Sequence, residues 1–255
     1  MRTTFPRNAE IFILGAAVPA LPEAELRAFC HARETALAPW LGEEQTDHIR
    51  RFALSGAALA ARASRVLARG LLLRGLSLAA AQTRSFRSEG VRLQADSAGR
   101  PVLPGWAVSF SHSGRAAFCA LRPGPAANGG PSGGPPHPAH PALGLDAEAL
   151  DSPPPCGRAF ASGEIPPALS ATGQCREALR RWTIKEALLK ALGTGLARDA
   201  ARIFGGRCGG RAGHAALDGH CLRWFLLPCP GHWLCLATSA AVSSPTFRFF
   251  WQTRV

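Results

Sequence analysis

Apolar residues recur along this chain in two rhythms. A short run, "IFILGAAVPA" from Ile11, predicts a β-strand. Glu10 directly before it and its brevity distinguish it from the apolar core of a secretory leader. In "LPEAELRAFCHARETALAPWL" the apolar positions fall three and four apart, predicting a helix from near Pro22. "EEQTDHIRRFALSGAALAARASRVLARGLLLRGL" predicts a longer helical region. "WAVSFSHSGRAAFCALR" reads as strand and "LGLDAEALD" as a short strand with acids at its end. "RAFASGEIPPAL" and "CREALRRWTIKEALLKALGTGL" predict two helices, the second stopped by glycines. "CLRWFLLPCPGHWLCLATSAA" predicts two apolar strands joined by a Pro-Gly turn.

Between residues 123 and 142 both rhythms vanish: "PGPAANGGPSGGPPHPAHPA" offers too little apolar surface to fold and predicts a flexible loop. The chain therefore divides into an N-terminal half, residues 1–122, the loop 123–142, and a C-terminal half, residues 143–255. Each half mixes helices with strands, so the expected class is α+β in two comparable halves.

Composition sharpens this further. Apolar residues make up 47% of the 255, ample for a core. The net charge of +12 predicts attraction to polyanions, whether nucleic acid, phosphate-rich small molecules or an acidic protein. The absence of Tyr and the abundance of Ala, Gly, Arg and Pro match a GC-rich genome, which accounts for part of that charge. The eight cysteines form no repeated CxxC pairs; "CPGHWLC", with Cys229, His232 and Cys235, is one cluster of three donors without a second pair. Buried free thiols in a reducing cytosol are the expectation. No run reaches the roughly 18 apolar residues of a membrane span. A nucleic-acid-binding module should interleave aromatics with its basic patch or carry a helix-turn-helix, and neither pattern is present.

Three stretches could carry chemistry. "RWTIKEALLK" holds Lys185 and Lys190, the only lysines among 29 basic side chains. On a helix Glu186 and Lys190 are i and i+4, Trp182 lies one turn earlier, and Ile184, Ala187, Leu188 and Ala191 form an anchoring stripe. The pair can be an ordinary surface salt bridge. Yet arginine replaces lysine wherever only solvated charge is wanted, and fails where a compact, titratable ammonium must fit. "GLDAE" puts Asp146 and Glu148 two apart, on one side of a strand, where a hard cation such as Mg²⁺ would relieve their repulsion if they are not simply solvated. "SFSHSGR" places Ser111 and His112 before a glycine; no G-x-S-x-G elbow surrounds them, and hydroxyls, imidazole and backbone suit phosphate better. Arg100 of "GRP" is a further phosphate donor. Arg62, Arg65 and Arg69 share one helix face, either solvated or anion-binding.

In this order, "GRP", "SHSGR", "GLDAE", "RAFASGE" and "WTIKEALLKALGTGL" resemble the 4′-phosphopantetheinyl transferases, specifically the larger monomeric type serving peptide synthetases and fatty-acid carriers. The G-x-D-x-E and W-x-x-K-E-x-x-x-K signatures recur as Gly144–Glu148 and Trp182–Lys190, and the match covers about residues 45–200. The resemblance implies two similar α+β halves related by a pseudo-twofold axis. It implies transfer of the phosphopantetheine arm of coenzyme A to a serine of an acyl or peptidyl carrier protein, releasing adenosine 3′,5′-bisphosphate. Asp146, Glu148 and Glu186 would then hold Mg²⁺. Glu186 would serve as base, directly or through water, and Lys190 would face the departing bisphosphate. Lys185, Ser111, His112 and Arg100 would bind phosphates, reinforced by Arg51 and Arg62. It further implies a cytoplasmic monomer with no nucleic-acid or membrane partner. Ala147 stands where the family often carries a branched residue, a change expected to alter packing. An inactive, carrier-binding relative is the rival; the intact acids at 146, 148 and 186 argue against it.

Overall fold

The computed structural model describes residues 10–83, 92–124, 142–195, 198–242 and 245–252. Most of the Pro/Gly-rich segment expected as a flexible loop lies outside the described residues. Strand β1 (Glu10–Ala17) is apolar from Ile11 to Ala16 because both its faces are covered there. Phe12, Leu14 and Ala16 pack on helices, while Ile11 and Ile13 face a second sheet. Beside β1 lies β5 (Ala116–Pro123), then β4 (Trp106–Ser113), joined to β5 by a tight hairpin. Helices α1 (Glu23–Leu37), α2 (Glu43–Arg50) and α3 (Gly56–Thr83) contribute to the Phe12-side core. The expected single helical region is therefore two helices. They part at residues 51–55, where the Arg62 side chain donates to the free Phe52 carbonyl at 3.0 Å. Strands β2 (Gln94–Ala95) and β3 (Pro101–Val102) form a small separate hairpin.

The second sheet runs β6 (Leu143–Ala149), β9 (His232–Ser239), β8 (His220–Leu227), β7 (Ala212–Leu217). Leu145, Ala147, Leu234 and Leu236 pack against the first sheet, so Ala147 lies in the core between the sheets. Cys235 and Ala237 point the other way, to helix α4 (Ala171–Leu192). All four residues of the expected α4 stripe join this outer core, Ala191 from its edge. Ser170 caps α4 by accepting from the Gly173 N–H, and Gly193, at φ 73°, ends it. The order of layers is helices, sheet, sheet, helix, a mixed α+β architecture.

Strand β1 lies beside β5 and β6 beside β9. Among the described residues, three α-helices and the β2–β3 hairpin stand between β1 and the β4–β5 pair, whereas α4 is the one α-helix between β6 and the three-stranded run β7, β8, β9. Two expectations need correction. "RAFASGEIPPAL" is not a helix beyond one 3-10 turn, Gly157–Ala159, because Gly163 adopts φ 71° and Pro166 and Pro167 lack the donors a helix needs. The last strand, β10 (Thr246–Gln252), pairs in parallel with β1, so the C-terminal stretch completes the N-terminal sheet.

Candidate active site

The two halves meet where edge strand β4 runs beside edge strand β6, with α4 against β6. Gly144 lets the helix approach: a Cβ there would stand 2.5 Å from the Ala191 nitrogen and closer still to the Ala187 carbonyl oxygen. Alternation along β6 sends Leu145 and Ala147 to the core between the sheets and Asp146 and Glu148 to the other side, where α4 presents Glu186 and Lys190. The paired acids of "GLDAE" and the Glu-Lys pair of "TIKEALLK" thus share one site. Lys190 donates to Asp146 Oδ1 at 2.7 Å, to the Leu145 carbonyl at 3.1 Å and to the Phe110 carbonyl at 3.3 Å. Its ammonium links strands of both halves to the helix.

Burial and mutual repulsion dominate the electrostatics here. Asp146 is 4% exposed, and burial pushes its carboxyl up against the pull of Lys190. Glu148 is raised by burial and then by the Asp146 charge. Glu186 is pushed up to about 7, first by burial, then by Asp146, with Lys190 opposing. Asp146 Oδ2 is buried and without a hydrogen-bond partner, while Oδ1 is held by Lys190 and Ser111. An orphaned carboxylate oxygen among three mutually destabilised acids fits a hard divalent cation. Among the described residues no three His, Cys, Asp or Glu side chains already stand as a coordinating group, so the fit lies in charge and donor chemistry. His232 and Cys235, three apart on β9, face opposite sides: His232 packs on the Phe118 ring and Cys235 in the α4 core.

Beside Lys190 opens a cleft of about 660 Å³ whose lining includes His48, Arg51, Arg69, Arg100, His112 and Lys190. His112 is lowered to about 4 by burial, Arg65 and Lys190; His48 also falls to about 4, through burial and then Arg69, Arg51 and Arg65. Both imidazoles are neutral at pH 7 and can donate to an anion without a charge of their own. Arg51 donates to His48 Nδ1 at 2.7 Å. Arg69, buried over the Phe110 ring, donates twice to Gln45 Oε1. The Arg65 Nε is buried and unpartnered. Arg100 is held by Asp96 at 2.6 Å and lies against Gly193, where a Cβ would overlap its guanidinium. Of the expected phosphate ligands, Arg51, Arg100 and His112 thus line the cleft.

Three others do not. Arg62 makes a bidentate pair with Glu34, both bonds 2.6 Å, and staples α3 to α1. The Ser111 hydroxyl is buried between β6 and Asp146. Lys185 is 0% exposed and donates to Glu164 at 2.7 Å and to the Ala159 carbonyl at 2.9 Å, tying residues 159–164 to α4. Burial lowers its ammonium and Glu164 opposes that shift. Lys185→Met is therefore expected to destabilise the fold by about 3 kcal/mol in urea titrations, because it strips Glu164 of its nearer charge partner and leaves it only Arg181, at 3.5 Å. Unchanged stability with weaker anion binding would return Lys185 to the phosphate ligands.

Gln45 and Glu164 escaped sequence reasoning, whereas Arg69 lies on the arginine face that helical period marked as solvated or anion-binding, and the cleft takes it up. Gln45 and Glu164 carry no spacing that marks their partners, 24 and 21 residues away.

A family-wide sequence model, described as the 4′-phosphopantetheinyl transferase superfamily, matches residues 142–207. This segment carries a 4′-phosphopantetheinyl transferase superfamily domain. It contains the three carboxylates and Lys190 of the site as well as the buried Lys185, whereas the arginines and histidines of the cleft lie outside the matched residues. Phosphopantetheine transfer is the general activity that goes with such a domain. No curated protein matches the chain. No helix among the described residues is long and apolar enough to cross a membrane.

Proposed function

We propose that this protein is a larger-type phosphopantetheinyl transferase with two related halves, moving the 4′-phosphopantetheine arm of coenzyme A onto a carrier-protein serine. The observation that carries the reading is the junction of two unlike sites at Lys190. On one side stand Asp146, Glu148 and Glu186; on the other opens a cleft lined with arginines and neutral histidines. Phosphoryl transfer calls for charge neutralisation and in-line positioning more than covalent help.

In this reading His48, Arg51, Arg69, Arg100 and His112 hold the nucleotide phosphates in the cleft. Asp146, Glu148 and Glu186 would hold Mg²⁺, which supplies neutralisation of the pyrophosphate charge when bound. Glu186, titrating near 7, takes the serine proton directly or through a water. The serine oxygen bonds to the pantetheine-side phosphorus as the bond to the other phosphate breaks. Adenosine 3′,5′-bisphosphate leaves, its new charge facing Lys190. Arg62, Arg180 and Arg181 are buried in ion pairs, so that part of the basic charge is spent inside the fold, and the arginines that line the cleft suit the phosphates of coenzyme A.

Incubating the protein with apo carrier proteins, coenzyme A and Mg²⁺ should add the arm, ~340 Da, to the carrier by mass spectrometry. No added mass across several acyl and peptidyl carriers overturns the reading. A pH effect accompanies it. Below pH 7 Glu186 holds a proton that the cation must displace, so apparent Mg²⁺ affinity should fall by up to about tenfold per unit as pH drops. Calorimetric titrations between pH 5.5 and 8 check this, and Glu186→Gln should flatten the dependence.

A further inference from the structure

The junction between the halves has an unusual construction. Edge strand β6 points the N–H groups of Leu145, Ala147 and Ala149 away from its partner β9, toward β4. Such donors ordinarily pair with a backbone carbonyl or water. Here they donate to side chains: Leu145 N–H to Ser109 Oγ at 2.9 Å, Ala147 N–H to Ser111 Oγ at 3.0 Å, Ala149 N–H to Ser113 Oγ at 2.8 Å. The period-2 serines of "SFSHS" thus close one sheet edge onto another. Accepting through oxygen leaves each hydroxyl its proton. Ser111 donates that proton to Asp146 Oδ1 at 3.0 Å, and Ser113 donates to Glu148 Oε2 at 3.0 Å. Ser109 donates to no carboxylate among the described contacts.

We propose that Ser111 and Ser113 are positioning residues that orient the Asp146 and Glu148 carboxylates for the cation, coupling the docking of the N-terminal half to the metal-site geometry. This inference rests on the transferase reading for its purpose, though not for its test. Each hydroxyl fixes one carboxylate oxygen and is itself fixed by a backbone N–H, so it cannot rotate away without losing two bonds. The partners of ligating groups commonly govern metal affinity in this manner. The assignment moves Ser111 from ligand of the nucleotide to support of the acids. It also gives Ser113, two residues further along, the same task.

Ser109 supplies the internal control, because it makes the same junction bond without reaching an acid. In Mg²⁺ titrations followed by thermal shift and by calorimetry, without coenzyme A, Ser111→Ala and Ser113→Ala should raise the half-saturating Mg²⁺ about tenfold or more. Ser109→Ala should keep the wild-type midpoint even though it lowers Tm, and Ser113→Thr should restore the midpoint by keeping the hydroxyl. Equal midpoints for Ser109→Ala and Ser113→Ala would overturn the proposal, as would a wild-type protein that binds no Mg²⁺. Should Ser111→Ala fail to fold, the comparison of Ser113 with Ser109 decides. Wild-type protein that binds Mg²⁺ but modifies no carrier would overturn the transferase reading, while the serine comparison would still be decided by the titration.

Discussion

Gly144→Ala is expected to destabilise the protein by about 3 kcal/mol or more, beyond ordinary overpacking, since the added methyl meets backbone instead of a movable side chain. The Cβ would press on the Ala187 carbonyl and the Ala191 nitrogen of α4, which lie about one turn apart where the helix crosses β6. Relief requires lifting α4 from the strand, which also carries Lys190 away from Asp146. Stability and transfer activity should therefore fall together. Gly70→Ala is the matched comparison. Gly70 lies within α3, a Cβ there meets nothing within 4 Å, and alanine's helix propensity should raise stability by about 0.5–1 kcal/mol. Urea unfolding of both variants provides the measurement; a loss under about 1 kcal/mol for Gly144→Ala would mean the helix can shift without penalty.

Lys190→Arg is expected to lower kcat by about 10²-fold or more although the charge is kept. The ammonium sits among acceptors on three sides, Asp146 Oδ1, the Leu145 carbonyl and the Phe110 carbonyl, with Ser111 Oγ at 3.4 Å. A planar guanidinium is too wide for that set and would project into the cleft or displace β4 from β6. Steady-state kinetics with a carrier that the wild type modifies would test it, together with Tm to separate lost chemistry from lost structure. Activity within a few-fold of wild type would show that only charge is needed at this position.

The scarcity of lysine proved informative in an unexpected manner. Both lysines occupy cages of close acceptors where a point-like ammonium fits, yet only Lys190 faces the cleft; Lys185 is sealed against Glu164. Composition could mark both as sites of special need, because substitution pressure toward arginine acts on every exposed cation alike. It could not separate a structural need from a chemical one, because the two residues differ only in what the rest of the chain packs over them. The arginines on α3 illustrate the same limit. Helical period placed Arg62, Arg65 and Arg69 on one face, and a shift of two turns then decided that Arg62 meets Glu34 while Arg69 lines the cleft.

What the sequence by itself determined was local and periodic: the strand β1, the helix α4 with its apolar stripe, the shared side of Asp146 and Glu148, and the order of motifs resembling the transferase family. Those features depend on neighbours within a few positions, and the chain's own geometry enforces them. Tertiary structure alone decided which edges meet. The return of β10 to β1, the pairing of Glu164 with Lys185, and the serine hydroxyls that bond β6 and aim its acids each join residues far apart in the chain. Such pairings are selected by the burial of whole sheet faces and by the need to satisfy every donor on a covered edge, and no local pattern encodes that requirement.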